Sequence, residues 1–148
     1  MQIRSARPAD RPAIRDVARR SLERSYSLSP QAITTAVEKW YDEAELAERF
    51  GDPAHLFLVV ERDEQVVGFS ESVHSESGDE ATLLWLHVDP SYRGEGIATE
   101  LFDVTVDQLR TEGFEHIYGR VLDDNTDGNA FYGARGLEKV GEDTVEIG

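Results

Sequence analysis

Leu84-Trp-Leu-His-Val-Asp-Pro-Ser-Tyr-Arg-Gly-Glu-Gly-Ile-Ala-Thr-Glu-Leu-Phe102 runs an apolar strand into a tight, glycine-bearing turn and from there directly into a helix. Residues from Ala81 to Val88 are apolar almost throughout, which predicts a central strand buried on both faces. The first turn of the helix that follows presents unpaired backbone N–H groups and the positive end of the helix dipole. Gly94 and Gly96 let an anion approach that backbone with no Cβ in the way. Arg93 adds a full positive charge beside the same spot. Together these features make a site for a pyrophosphate.

Several ligands carry a pyrophosphate. A Walker loop needs Gly-Lys-Ser/Thr, which is absent. A dinucleotide fingerprint needs a third glycine where Thr99 stands, and it belongs to an initiating parallel strand, whereas this loop lies late in the chain. Taken by itself, the Gly-x-Gly pair reads first as a strand-to-helix turn that needs glycine only for its geometry.

Outward from this segment the chain alternates between two periods. Ile3 to Arg7 reads as a first strand. Asp10 is placed to cap a helix whose inner stripe is Ile14, Val17, Ala18 and Leu22. Ser29-Pro30, a cap followed by proline at the first helical position, starts a second helix carrying Ile33, Val37 and Trp40. Asp42 with Glu45 resembles a capping box for a short helical stretch ending near Phe50. The strands Leu56–Val60, Val66–His74 and Ala81–Val88, joined by short turns, imply an antiparallel meander. After Pro90 the stripe Ile97, Leu101, Val104, Thr105 and Leu109 marks a helix that Gly113 ends. Glu115 to Leu122 reads as a strand, Asn129 to Ala134 as a brief helix and Leu137 to Ile147 as a last strand. The expected fold is α/β, one domain over residues 1–148, with a mixed, mostly antiparallel central sheet flanked by helices.

The global composition narrows the function. Thirty Asp and Glu oppose fifteen Lys and Arg, a formal net charge of −15 over 148 residues. The carboxylates are spread along the whole chain, which reads as a solvated surface of the kind found in salt-rich cytoplasm, where screening tolerates self-repulsion. A negative field disfavours nucleic acid. With no cysteine, disulfides, thiolate metal sites and cysteine nucleophiles are excluded. The absence of a long apolar run or a signal-like N-terminus leads to the expectation of a cytoplasmic protein without a membrane span. His55, His74, His87 and His116 lack paired metal spacing, read as surface or strand residues, and predict no metal site. Trp40 and Trp85 read as core. No Ser-His-Asp order with a nucleophile elbow is present.

Arg93-x-x-Gly96-x-Ala98, preceded by Val88-Asp-Pro and followed by a helix, resembles the acyl-CoA-binding motif of the GNAT superfamily of N-acetyltransferases. Asn125, Phe131-Tyr132 and Gly136-Leu137 resemble the closing motif of that family, and Ile3-Arg4-x-Ala6-x-Pro8-x-Asp10 its start. The resemblance covers essentially the whole chain. It implies splayed central strands that grip the pantetheine arm of acetyl-coenzyme A, with the backbone of Leu86, His87 and Val88 bonding the arm's amides as an added strand would. It further implies that N–H groups of Arg93, Gly94, Glu95, Gly96, Ile97 and Ala98 hold the pyrophosphate with help from the Thr99 hydroxyl. Asn125 would contact the cofactor from the opposite strand. The Val88 N–H would face the acetyl oxygen.

The implied reaction moves an acetyl group to a primary amine by direct attack, and the missing cysteine favours this over an enzyme thioester. Tyr132 matches the family tyrosine beside the sulfur and is the candidate general acid. Glu80 matches by position a glutamate used as base in some branches, and simple alternation puts it on one face with Leu84, Leu86 and Val88. Glu71, His87 and an ordered water are rival bases. Arg120 stands where relatives that acetylate ribosomal-protein N-termini have a glutamate, a departure from that branch. The competing function is a non-catalytic acyl-CoA sensor or protein-interaction module on the same fold. The expected partner is an amine acceptor, small molecule or protein, with a homodimer as a further expectation.

Overall fold

In the computed structural model the described residues are 1–25, 28–75, 78–120, 126–137, 140 and 144–147. Among the described residues six strands, β1 (Gln2–Ser5), β2 (His55–Arg62), β3 (Gln65–His74), β4 (Glu80–Val88), β5 (His116–Arg120) and β6 (Thr144–Glu146), form one sheet in sequential order. The helices flanking it are α1 (Arg11–Ser25), α2 (Pro30–Trp40), α3 (Glu43–Gly51), α4 (Ile97–Thr111) and α5 (Thr126–Ala134). All neighbouring strands are antiparallel except β4 and β5, which α4 connects and which run parallel. The mixed, mostly antiparallel α/β sheet is the one expected from the sequence. Among the described residues no helix is long and apolar enough to cross a membrane.

Local chemistry fixes most boundaries. The Ser29 hydroxyl accepts from the Ala32 N–H at 3.1 Å, so α2 begins at Pro30 as its cap predicts. The Asp42 carboxylate accepts from the N–H groups of Ala44 and Glu45 and starts α3. Asp63 and Glu64 both take left-handed φ, 53° and 64°, as a tight hairpin between β2 and β3 requires.

Asp10 departs from its expected role. It closes a 3-10 turn over Pro8–Asp10 and accepts from the Arg7 N–H at 2.7 Å and from Arg4 at 2.8 and 3.0 Å, so α1 starts after it. Burial alone would raise its pKa, but Arg4 and the Arg7 N–H hold the carboxyl below the usual range. β1 likewise stops at Ser5, ahead of Pro8, which has no N–H to donate. β5 and β6 are shorter than expected, and residues 121–122, 138–139 and 141–143 of those readings lie outside the described residues.

The core divides between the two faces of the sheet. Ile14, Val17, Ala18 and Leu22 of α1, with Ile33, Val37 and Leu46, pack against Phe57, Val59 and Phe69 on one face. On the other, α4 buries Leu101, Phe102, Val106 and Leu109 against Leu58, Val60, Leu83 and Ile117. Phe102 and Val106 take the place expected for Val104, which is only half-buried. Trp40 and Trp85 join the first cluster with their ring centroids 5.2 Å apart. One hydrogen bond ties α4 to the sheet through this apolar layer, Ser70 to the Thr105 hydroxyl at 2.8 Å. Both groups are fully buried, and because Thr105 also donates to the Leu101 carbonyl at 2.7 Å, truncating Thr105 strands Ser70 but not the reverse.

Candidate active site

The β4–β5 ladder runs from Glu80 opposite His116 to Leu83 opposite Gly119 and then ends. β4 continues to Val88 and among the described residues pairs with β5 no further, so over these residues the two strands fork at Leu83 and Gly119. The backbone edge of Leu84–Val88 that faces the fork is available to an extended ligand. Leu84, Trp85 and Leu86 are only half-buried, which corrects the expectation of a strand enclosed on both faces: the fork opens beside them.

A β-bulge changes which side chains share a face. Glu71 pairs with Trp85, but Ser72 pairs with Leu83, so Leu84 is an extra residue in β4. Ala81 and Leu83 before the bulge, and Leu86 and Val88 after it, pack toward α4. Trp85 and His87 point to the opposite face, among Tyr41 and Phe69. Uniform alternation therefore fails at Leu84, and Glu80 does not share the face of Leu86 and Val88. It is exposed at the paired end of β4, roughly 20 Å of strand away from Leu86. The structure does not bring Glu80 to the fork.

The loop after β4 is built around Asp89. Its carboxylate accepts from the Ser91 N–H at 2.9 Å and from Arg20 of α1 at 2.8 Å. Burial pushes this carboxyl up, yet these donors bring its pKa below the usual value. A 3-10 turn, Pro90–Tyr92, leads to Gly94 and Gly96, whose φ values of 80° and 78° are left-handed. The first intrahelical bond of α4 is Glu100 N–H to the Gly96 carbonyl at 3.0 Å. The N–H groups of Ile97, Ala98 and Thr99 therefore precede the helical ladder. A Cβ built on Gly94 or Gly96 would meet nothing within 4 Å, so the space in front of the loop is open. The carboxylate of Glu95 pairs with Arg62, whose guanidinium also lies over Tyr92, 5.7 Å from the ring centre. That pairing offsets the negative charge of the loop. Arg93 is exposed beside it.

Tyr132, from α5, is buried against Phe102 and Phe131. Its phenol oxygen lies over Gly119, 2.9 Å from where a Cβ would be. This is the last rung before the fork. Burial raises the phenol pKa, and Arg135 only partly opposes the rise, so the group keeps its proton at neutral pH. Asn125 lies outside the described residues.

The rival bases are both enclosed. The Glu71 carboxylate accepts from Arg49 at 3.1 and 3.2 Å and lies 3.2 Å from His55 Nδ1. Burial pushes its pKa up against the pull of both partners. His87 is fully buried, with Nδ1 2.7 Å from the Ser21 hydroxyl. Burial, with a smaller contribution from Arg93, lowers its pKa to about 3. It is thus a neutral core residue within β4, one of the strand positions the sequence suggested. The contacts of Ser21 and Arg20 were not read from sequence, because helix periodicity says nothing of what the polar residues of an inner face touch. Gly119 did carry a signal, a glycine inside an apolar strand. Among the described residues no cluster of three His, Cys, Asp or Glu is disposed to hold a metal ion.

The forked edge and the open, amide-lined loop fit a diphosphate ester bearing an extended amide arm. Comparisons with known proteins agree with this geometry. The family model described as the acetyltransferase (GNAT) family matches residues 14–137. The uncharacterized N-acetyltransferase YjgM of Escherichia coli K12 is 32% identical over 112 residues, 74% of this chain and 65% of that protein. The ribosomal protein bS18-alanine N-acetyltransferase of Haemophilus ducreyi is 32% identical over 62 residues, 42% of this chain and 43% of its own. Both matches thus span less than two thirds of the relative's length. Among solved structures, the PaiA N-acetyltransferase of Thermoplasma acidophilum in complex with coenzyme A superposes with a TM-score of 0.88, at 23% identity over 98% of this chain and 96% of that one. A GNAT acetyltransferase of Brucella melitensis in complex with acetyl-CoA gives 0.68, also at 23% identity, over 99% and 86%.

Proposed function

This chain belongs to the GNAT acetyltransferase family, and on that premise we propose that it transfers the acetyl group of acetyl-coenzyme A to a primary amine by direct attack. The observation that carries the reading is the fork beyond Leu83 and Gly119, which meets the glycine loop at one end and the Tyr132 phenol at the other.

The backbone of Leu86 and Val88 would bond the pantetheine arm along the unpaired edge of β4, while His87 between them turns its N–H and carbonyl to Phe69 of β3, the alternation fixed by the Asp89 N–H bond to the Val67 carbonyl. The N–H groups of Arg93, Gly94, Glu95, Gly96, Ile97 and Ala98 would hold the pyrophosphate, with the Thr99 hydroxyl adding one bond. Arg93 supplies the charge. The Val88 N–H stands at the loop end of the fork, roughly 15 Å of strand beyond the rung where Tyr132 lies, so it is assigned to the pantetheine arm and not, as the resemblance implied, to the acetyl oxygen. Asn125 is assigned a contact from the opposite side. When bound, the thioester supplies the activated acetyl group, and the chain's own contribution is alignment plus one proton. Tyr132, buried and protonated, would give that proton to the departing thiolate.

The ammonium of the acceptor must also lose a proton. We assign this to water rather than to a side chain. Glu80 stands at the paired end of β4, Glu71 is tied to Arg49 and His55, and His87 is too weak a base. The acceptor amine is a small molecule or a protein amine; the H. ducreyi relative is named for acting on an alanine of bS18.

The test is thiol release from acetyl-CoA with a panel of polyamines, lysine peptides and peptide N-termini. Acceptor-dependent, saturable release supports the enzyme. Saturable acetyl-CoA binding with no release for any acceptor would favour the alternative, a non-catalytic sensor or interaction module.

A further inference from the structure

Gly119 is the penultimate residue of β5 and has ordinary extended backbone, since its φ is not among the positive ones. Nothing in the chain's conformation calls for glycine there, and glycine weakens a strand by removing packing and adding unfolded-state entropy. The space above it does call for glycine. A Cβ at this position would lie 2.9 Å from Tyr132 Oη, 3.0 Å from Tyr132 Cζ and 3.0 Å from Val145 Cγ2. The phenol thus rests on the bare Cα of β5. Its ring is held from the sides by Phe102 and Phe131, with centroids 6.1 and 5.6 Å away, and only 5% of the residue is exposed. Gly119 is also the last residue of β5 paired with β4, so the oxygen it admits stands at the apex of the fork.

The geometry points to Gly119 as a positioning residue for acetyl transfer: by having no side chain, it sets the depth at which the Tyr132 hydroxyl stands in the fork. This rests on the reading of Tyr132 as the group that protonates the leaving thiolate. Restoring ordinary contact with a methyl group displaces Oη by roughly half an ångström, and reacting geometry is sensitive on that scale, about a hundredfold in rate per ångström.

The experiment is a double-mutant cycle of Gly119→Ala and Tyr132→Phe, read as kcat, acceptor KM, acetyl-CoA Kd and melting temperature. Gly119→Ala should lower kcat by about tenfold with little change in acetyl-CoA Kd. In the Tyr132→Phe background the same change should cost less than about twofold, because the displaced atom is gone. The Val145 contact is present in both backgrounds and cancels. Equal losses in both backgrounds, or no loss in either, would overturn the inference. Unchanged kcat in Tyr132→Phe alone instead rejects the acid role, and the assignment of Gly119 to catalysis with it. A readout independent of turnover separates the two: in protein labelled with [ζ-13C]tyrosine, the Tyr132 resonance must shift in Gly119→Ala, and an unmoved resonance refutes the positioning itself. Should Gly119→Ala alone fail to fold, recovery of melting in a Gly119→Ala/Tyr132→Leu/Val145→Ala variant, which lacks all three contacting atoms, supports the contact, and no recovery refutes it.

Discussion

Replacing Gly96 by alanine isolates the backbone contribution of the loop. Gly96 precedes α4 with φ at 78°, and a Cβ there would touch nothing within 4 Å. Steric overlap with neighbours therefore adds nothing, and the whole cost is the left-handed conformation, about 1–2 kcal/mol for an L-residue. At roughly 2–4 °C per kcal/mol for a domain near this size, the melting temperature should fall by about 2–8 °C. If the loop instead relaxes to negative φ, the N–H groups of Ile97, Ala98 and Thr99 turn away and acetyl-CoA affinity falls. Gly51→Ala is the control. It makes the same chemical change at the end of α3, also with nothing within 4 Å but with no left-handed φ. There alanine should be neutral or stabilise by up to about 1 kcal/mol. The assay is thermal and urea unfolding of the three proteins, with and without coenzyme A. A Gly96→Ala variant that melts at or above the parent would refute the reasoning.

Three further outcomes follow from the same geometry. Unfolded His87 binds a proton below about pH 6.5 whereas folded His87, with a pKa of about 3, does not, so stability is full above that range and falls on acidification through it. Between pH 7 and 5 the parent should lose about 2 kcal/mol more in urea unfolding than His87→Gln does; parallel losses would contradict the burial of a neutral imidazole. Asp89→Ala removes the cap of the turn and the partner of Arg20, and should cost about 1–2 kcal/mol by chemical unfolding, while Asp89→Asn, which keeps an accepting oxygen, costs less. Glu80→Gln should leave kcat within about threefold of the parent, and a loss of a hundredfold would restore Glu80 as the base.

The strands, helices and caps were legible because they rest on local rules. Ser29-Pro30 and Asp42 announce helix starts, and the apolar run into Gly94 and Gly96 announces an anion-binding turn. What escaped the sequence depends on contacts between distant residues. The bulge at Leu84 is visible only when β3 and β4 are paired, and it alone removes Glu80 from the face of Leu86 and Val88. Asp10 reads as a helix cap until Arg4 and the Arg7 N–H are seen to claim it. The buried Ser21–His87 bond joins residues 66 apart in the chain, and no periodicity encodes such a partner. Of the candidate site, the loop and Tyr132 could be read from motifs, whereas the fork that joins them, and the glycine beneath the phenol, needed the register of β4 against β5.

Whether the fork and the glycine loop together hold the cofactor is decided by amide hydrogen exchange with and without coenzyme A. Slowed exchange is expected at Leu86 and Val88, whose N–H groups face the fork, and at Gly94 through Thr99, with His87, already bonded to β3, and the outer face of α2 unaffected. Saturating coenzyme A that leaves both segments exchanging as in the free protein would contradict this placement of the cofactor.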